Sequence, residues 1–240
     1  MLSASSNIAK RIQTIRRTLN PGVTLVCVSK FHPVEAIMEA YEAGERDFGE
    51  SRVQELLMKH EALPKDIRWH MIGHLQTNKV RAIVPFVHLI HSVDSLHLLE
   101  TINREAERIG RVVNVLLEVH VAKESTKSGF TPDEILSLTG ALHRSNSEAV
   151  LQSPCDGLTA IGCLPFVRIC GLMSMATNTD DEAEIRRCFR EVANLSKSIQ
   201  RSCLTAPAVL SMGMSDDYLI AQQEGSTMVR IGTTLFGSRY

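Results

Sequence analysis

Long apolar runs, clusters of basic residues and paired cysteines are all missing from this sequence of 240 residues. No stretch approaches the roughly 18 consecutive apolar residues of a membrane-spanning helix. A net charge of -1 without runs of Lys or Arg argues against a general nucleic-acid or membrane-surface binder. The six cysteines form no CxxC pair and follow no secretory signal, so we expect reduced thiols and a cytoplasmic protein. Hydrophobic residues at 44% are typical of a globular protein.

Acidic residues are also missing from the first 34 positions, where basic residues and serines are frequent. This composition is typical of a mitochondrial transit peptide, so a mitochondrial pool stays open. The alternative is a structural helix, because Ile8, Ile12, Ile15 and Leu19 recur with helical spacing and make one apolar stripe. We favour the structural helix, since the fold predicted next requires one.

Segments typical of strands and helices then alternate along the chain. The eight strand candidates are VTLVCVSK (23–30), RDFGE (46–50), RWHMIG (68–73), VHLIHSVD (87–94), VVNVLLEVHV (112–121), VRICGLMS (167–174), VLSMGMS (209–215) and TMVRIGTTLFG (227–237). Eight βα units in this length predict a single TIM-type (β/α)8 barrel over residues 1–240, with an open doubly wound sheet as the alternative. The N-terminal helix is expected to cover the position of the missing last helix. Segment 143–166 is predicted to be a surface insertion.

The carboxyl ends of barrel strands carry the chemistry of this fold, and Lys30 ends the first strand. The run before it is apolar and β-branched, as in a strand that is buried on both faces. Lys30 therefore either marks the exit of the strand into solvent or is an amine tuned for chemistry. Partial burial lowers the pKa of an amine, so more of it is in the neutral, nucleophilic form. That form makes a Schiff base with an aldehyde. From this stretch alone, the exit into solvent is favoured.

The ends of strands seven and eight carry a candidate anion site, since their loops usually bind phosphate in this fold. Ser215 is predicted to cap the next helix, whose amides and dipole attract an anion. Gly232 and Thr233 could offer backbone amides to phosphate oxygens. The alternative is that these residues only shape turns. A phosphate site opposite Lys30 fits a ligand with both a phosphate and an aldehyde, which is pyridoxal 5'-phosphate (PLP).

Arg230 is the third candidate, because it lies two residues before Gly232 and its side chain points the same way. An arginine donates hydrogen bonds and stays charged, so it favours an unprotonated pyridine nitrogen. That state weakens the ring as an electron sink. The alternative is an ion pair inside the barrel.

Five segments together resemble the pyridoxal phosphate homeostasis protein family, also called the proline synthetase co-transcribed homologue family. They are CVSKFHP, FGESRVQE, WHMIGHLQTNK, LSMGMSDDY and GSTMVRIGTTLFGSR, and the resemblance runs from about residue 8 to residue 240. It implies a PLP-binding barrel of fold type III, like the N-terminal domain of alanine racemase. It also implies a Schiff base on Lys30 and a contact of Arg230 with the ring nitrogen. The phosphate would be held by Ser211 or Ser215 with Met214, Gly232 and Thr233.

Two further positions bear on this resemblance. His74 follows the third strand and could line the site, although the polarity of a helix start explains it equally well. The family usually reads FGEN where this chain reads FGES, so Ser51 stands in place of an asparagine. A contact between this position and the cofactor could therefore be lost or replaced by water.

The resemblance implies a role in managing intracellular PLP. We expect a monomeric carrier or buffer that passes PLP to apo-enzymes with little or no catalysis; the alternative is a slow PLP-dependent racemase. A racemase needs a proton carrier on each face of the substrate α-carbon. In alanine racemase a second-domain tyrosine serves one face, whereas Tyr41, Tyr218 and Tyr240 lie on no predicted strand end. No metal is expected, because His70 and His74 are not part of an HExxH motif.

Overall fold

A computed structural model of the protein describes residues 7–123, 128–145, 164–199 and 208–237, in which eight parallel strands close into a barrel. The strands are β1 (Thr24–Val28), β2 (Asp47–Glu50), β3 (Arg68–Met71), β4 (Leu89–Val93), β5 (Val113–Val119), β6 (Val167–Ser174), β7 (Val209–Ser211) and β8 (Met228–Ile231). Each strand pairs with the next, and β8 pairs with β1 from Thr24 opposite Met228 to Cys27 opposite Ile231. The TIM-type barrel is thereby confirmed over the open sheet.

Helices connect consecutive strands on the outside of the barrel. They are α2 (Val34–Glu42), α3 (Val53–Ala62), α4 (Thr77–Ile83), α5 (Leu96–Glu107), α6 (Pro132–Ser145), α7 (Glu182–Ile199) and α8 (Tyr218–Gln223); α1 (Asn7–Thr18) precedes β1 and α9 (Thr233–Phe236) follows β8. Every residue of β4 is buried, as expected where a parallel strand is covered on both faces. The α7 helix buries Ile185, Phe189 and Val192 at helical spacing, which packs one of its faces on the barrel.

The N-terminal helix α1 covers the barrel between α2 and α9. Ile8, Ile12 and Ile15 are buried in the common core, which confirms the apolar stripe. Arg11 Nη1 donates a hydrogen bond to the Leu235 carbonyl at 3.3 Å, and this bond ties α1 to α9. The expected covering role is therefore correct, although a one-turn helix does follow the last strand.

Seven of the eight predicted strands are shorter in the structure, and the seventh and eighth lose the most residues. The seventh was expected to reach residue 215 but ends at Ser211, because Gly213 has φ +94° and turns the chain. A Cβ at Gly213 would lie 2.6 Å from the Ala221 Cβ, so glycine permits the close approach of α8. The eighth was expected to reach residue 237 but ends at Ile231, where Gly232 begins the α9 turn.

Three smaller expectations can be compared with the described residues. Thr131 Oγ1 accepts from the Glu134 amide at 3.2 Å and Glu134 Oε2 accepts from the Thr131 amide at 2.7 Å, which is the predicted capping box. Of the predicted insertion 143–166, residues 143–145 belong to α6 and residues 146–163 lie outside the described residues. The buried cysteines at 27 and 188 are free thiols. None of the helices described is long and apolar enough to span a membrane.

Candidate functional site

A cavity of about 250 Å³ opens at the carboxyl ends of the strands. Six of the eight predicted site residues line it together, namely Lys30, Met214, Ser215, Arg230, Gly232 and Thr233. They come from opposite ends of the sequence, and the pairing of β1 with β8 brings them together. The cavity thus combines an amine, a guanidinium group and several hydroxyl and amide donors.

Lys30 stands in a tight turn just beyond β1. The His32 amide donates to the Ser29 carbonyl at 3.0 Å, which closes a four-residue β-turn with Lys30 as its second residue. Phe31, the third residue, has φ +67°, a conformation usually left to glycine or asparagine. A non-glycine residue held there costs about 1–3 kcal/mol and persists only where its surroundings fix it. The turn leaves Lys30 half-buried at the cavity wall.

Arg230 lines the cavity, and its buried guanidinium group is fixed by three oxygen acceptors. Its Nη1 donates to the carbonyl and hydroxyl oxygens of Ser211 at 2.6 and 2.7 Å, and its Nη2 donates to the Ser174 carbonyl at 3.1 Å. Burial lowers the pKa of Arg230 to about 10, against the opposing effect of Asp217 and Glu118. The guanidinium group therefore remains cationic at neutral pH and can only donate to a ligand.

A chain of buried side chains continues from Arg230 through the barrel interior. His91 Nδ1 lies 3.0 Å from the Ser211 hydroxyl, and His91 Nε2 lies 2.9 Å from His70 Nδ1. His70 Nε2 lies 3.0 Å from Asp47 Oδ1. Burial lowers the pKa of His91 well below its ordinary value, so this ring is neutral. The neutral ring can accept from Ser211 and donate to His70, which fixes the hydroxyl that supports Arg230.

Asp47 ends this chain at the opposite end of the barrel. Burial raises the pKa of Asp47, but hydrogen bonds from Arg68 and His70 outweigh burial and hold it well below its usual range. Asp47, His70 and His88 bring potential metal-ligand atoms within 4.8 Å of one another. Arg68 already donates to both carboxylate oxygens of Asp47 at 2.7 and 2.5 Å, which opposes a cation there.

Three candidate residues differ from the expectation, two in position and Ser215 in its capping role. Ser211 is fully buried behind Arg230 and does not line the cavity, so Ser215 is the better placed of the two candidate serines. Ser215 is not the helix cap, because α8 begins at Tyr218 and Asp217 occupies the N-cap position. His74 has a side chain 64% exposed and faces Asp94 at 3.0 Å.

His74 lines a neighbouring groove instead of the cavity. Ser51, Arg52 and Lys79 also line that groove. The serine that replaces the family asparagine therefore lies beside the cavity wall and not in it. Its effect on a ligand in the cavity would be indirect.

Sequence reasoning missed the roles of His70, His91 and Glu118 inside the barrel. The two histidines interrupt the apolar runs of the adjacent strands β3 and β4, which could have suggested a polar pair inside the barrel. Glu118 is 5% exposed near the end of β5. Burial and the charge of Asp94 raise the pKa of Glu118 to about 7, against the effect of Arg230. No local pattern distinguishes this glutamate from a surface residue.

The best phosphate donors lie where β7 and β8 end. Ser215 offers a hydroxyl group, and Thr233 is the first residue of α9, whose first amides have no carbonyl partner within the helix. A Cβ at Gly232 would lie 3.1 Å from the Val28 carbonyl oxygen, so this loop lies tightly against the end of β1. An anion held here would therefore be close to the turn that carries Lys30.

Comparisons with known proteins agree with this geometry. The alanine racemase N-terminal domain family matches residues 4–240. A pyridoxal phosphate homeostasis protein of Aquifex aeolicus is 39% identical over 238 residues, which cover 98% of this chain and 96% of that protein. The chain belongs to the pyridoxal phosphate homeostasis proteins of the alanine racemase N-terminal domain family.

Two further proteins are similar to this chain over most of their length, and a third shares its fold. A pyridoxal phosphate homeostasis protein of Schizosaccharomyces pombe is 36% identical over 91% of this chain and 85% of that protein. The structure of PipY from Synechococcus elongatus with PLP bound has a TM-score of 0.80 at 37% identity, covering 96% of this chain and all of that chain. An alanine racemase of Clostridium difficile aligns with 95% of this chain and 55% of its own, with a TM-score of 0.69 at 15% identity, which shows the shared fold.

Proposed function

We propose that this protein binds PLP as a Schiff base on Lys30 and acts in intracellular PLP homeostasis as a carrier or buffer. The observation that supports it best is a cavity that Lys30, Arg230, Ser215 and Thr233 line together. An amine at one wall, phosphate donors at another and a cation below suit an aldehyde, a phosphate and a ring nitrogen. A relative 37% identical to this chain has PLP bound.

Each residue then has a defined task. Ser215, Gly232 and Thr233 bind the phosphate with one hydroxyl group each from serine and threonine and with backbone amides. Arg230 would donate to the ring nitrogen, and Met214 would lie with the residues that hold the phosphate. Bound PLP supplies an aldehyde carbon and a ring that can accept electrons. Arg230 limits that second property, because a cationic donor keeps the ring nitrogen unprotonated.

A low-activity amino-acid racemase is the second candidate, favoured by the shared fold. It needs a proton carrier opposite Lys30. Among the described residues, the Tyr41 hydroxyl donates to Asp66 at 2.8 Å and the Tyr218 hydroxyl is paired with Thr18 at 3.0 Å. Neither tyrosine lines the cavity, and Tyr240 lies outside the described residues. The carrier is therefore the better supported function.

The binding claim is tested by titrating cofactor-free protein with PLP and recording the visible spectrum. We expect a saturable yellow band in the wild type and its loss in Lys30→Ala, with Lys65→Ala as the control at an exposed lysine. A wild-type spectrum identical to that of free PLP would overturn the proposal.

The carrier role is tested separately from binding. PLP-loaded protein is mixed with an apo PLP-enzyme in the presence of excess phosphatase, which destroys free PLP. We expect the apo-enzyme to regain activity faster than with the same total PLP alone, and proton exchange at the α-carbon of L-alanine to stay at the level of Lys30→Ala. Substantial exchange without protected transfer would favour the racemase.

A further inference from the structure

The two residues that flank Lys30 are both attached to a buried charged cluster. Its members are Lys59 and Glu55 on α3 and Glu50 at the end of β2. None of the three lines the cavity, so the cluster is separate from the groups that would touch a ligand. Its contacts converge on the backbone of the turn.

Lys59 is the centre of the cluster. Its side chain is 1% exposed, and its ammonium group donates to Glu50 Oε1 at 2.8 Å, Glu55 Oε1 at 2.6 Å and the Ser29 carbonyl at 2.8 Å. These three acceptors use all three protons of the ammonium group. A lysine so completely buried requires such compensation, and one of its acceptors is the residue before Lys30.

The two carboxylates contact the turn as well. Glu50 Oε1 accepts from the Ser29 hydroxyl at 2.6 Å, and Glu55 Oε1 accepts from the Phe31 amide at 2.6 Å. Glu50 is fully buried and its Oε2 has no hydrogen-bond partner among the described residues. Burial raises the pKa of Glu50 to about 7, against the lowering effect of Lys59.

The contacts explain how an unfavourable turn is maintained. Phe31 has φ +67°, which a phenylalanine does not adopt without external constraint. The hydrogen bond from the Phe31 amide to Glu55 fixes the orientation of the peptide group between Lys30 and Phe31. The bonds to Ser29 fix the other side of Lys30.

We propose that Lys59 is a positioning residue, which with Glu50 and Glu55 holds the turn that directs the Lys30 amine into the cavity. The inference rests on the proposed function for its consequence, because the amine is directed to where PLP would bind. Lys59 does not line the cavity and acts through the Ser29 carbonyl, Glu50 and Glu55.

The test compares Lys59→Met, which keeps the length of the side chain but removes its donors, with Lys65→Met at an exposed lysine just beyond α3. The first measurement is the rate at which the yellow band forms when PLP is added to folded, cofactor-free protein. We expect this rate to fall by about tenfold or more in Lys59→Met, as reacting groups lose their alignment, and to be unchanged in Lys65→Met.

The second measurement is independent of PLP. Cofactor-free protein is treated with a limiting amount of an acylating reagent between pH 6.5 and 9.5, and acylation of Lys30 is quantified by peptide mass spectrometry. A positioning role predicts a shifted pH profile for Lys30 in Lys59→Met but not in Lys65→Met. Thermal unfolding of each variant separates this effect from a general loss of structure.

Glu55→Ala provides a second route if Lys59→Met does not fold. It removes the acceptor of the Phe31 amide and keeps the Lys59–Glu50 pair. We therefore expect a smaller fall in the rate of band formation and a smaller shift of the Lys30 acylation profile. Wild-type rates and wild-type acylation profiles in the folded variants would overturn the inference. If the wild type itself forms no Schiff base, the proposed function fails, and the acylation profile alone still decides whether Lys59 positions Lys30.

Discussion

Single side chains at the strand ends depend on partners that do not touch the cavity. Arg230 lines the cavity, but its position is set by the Ser211 hydroxyl, which is in turn paired with His91. Ser211 was predicted as a candidate phosphate ligand, but in the structure its hydroxyl group supports Arg230 instead. Ser211 does lie at a strand end, but it is fully buried and does not line the cavity.

Replacing the hydroxyl of Ser211 is expected to affect both stability and binding. Ser211→Ala leaves Arg230 with one acceptor fewer and His91 Nδ1 without its partner, so the free energy of unfolding should fall by about 1–3 kcal/mol. PLP affinity should fall with it, although Ser211 is not at the cavity wall. Urea denaturation and PLP titration check both effects. Ser198→Ala, at an exposed position of α7, should change the free energy of unfolding by no more than about 0.5 kcal/mol; equal behaviour of the two variants would contradict this account.

Glu118 makes the stability of the folded protein depend on pH. The pKa of Glu118 is raised from 4.5 to about 7 in the folded protein, chiefly by burial. The folded state thus holds this proton more tightly than the unfolded state does. The resulting stabilisation is fully present below about pH 4.5 and is lost as the pH rises to about 7.

Glu118→Gln should remove this loss, because glutamine does not ionise. We expect the variant to gain roughly 3 kcal/mol in free energy of unfolding relative to the wild type between pH 4.5 and pH 8. Denaturation curves at several pH values measure the gain, and Glu61→Gln on the exposed side of α3 is the matched control. Parallel pH curves for the wild type and Glu118→Gln would show that the carboxyl group is not titrating as described.

At the scale of elements, patterns predicted which segments are strands and helices better than where they end. Apolar runs and helical spacing correctly indicated all eight strands and the helices between them, because these patterns reflect burial on one or both sides. The ends of β7 and β8 depend instead on local conformations at Gly213 and Gly232. The burial of Lys59 was likewise not predictable from the sequence pattern. Glu55 and Lys59 are four residues apart, which is typical of an ion pair on a helix surface, but this pair is buried.

The helix α1 is expected to be an integral part of the barrel. Ile12 is 3% exposed in the core, and Ile12→Ala should lower the free energy of unfolding by about 2–4 kcal/mol through lost contacts and a cavity. Gln13→Ala on the exposed face should change it by less than about 0.5 kcal/mol. Chemical denaturation of both variants provides the comparison. An Ile12→Ala variant as stable as the wild type would mean that α1 does not contribute to the fold.

At the scale of the whole molecule, closure of the barrel assembles the site from both ends of the chain. Lys30 follows β1, while Arg230 lies in β8 and Gly232 and Thr233 follow that strand. The pairing of β1 with β8 brings them around one cavity. The sequence predicted this assembly because the fold places all strand ends on one face. It could not predict the histidine chain or the Lys59 cluster, since their partners come from different strands and helices and depend on exact packing.

The most direct measurement is borohydride reduction of the protein after incubation with PLP, followed by peptide mass spectrometry. Reduction converts a Schiff base into a stable adduct at the lysine that carried it. The account predicts one dominant adduct, on the peptide that contains Lys30, and its absence in Lys30→Ala. Adducts scattered over exposed lysines such as Lys10 and Lys197, with Lys30 unmodified, would contradict it.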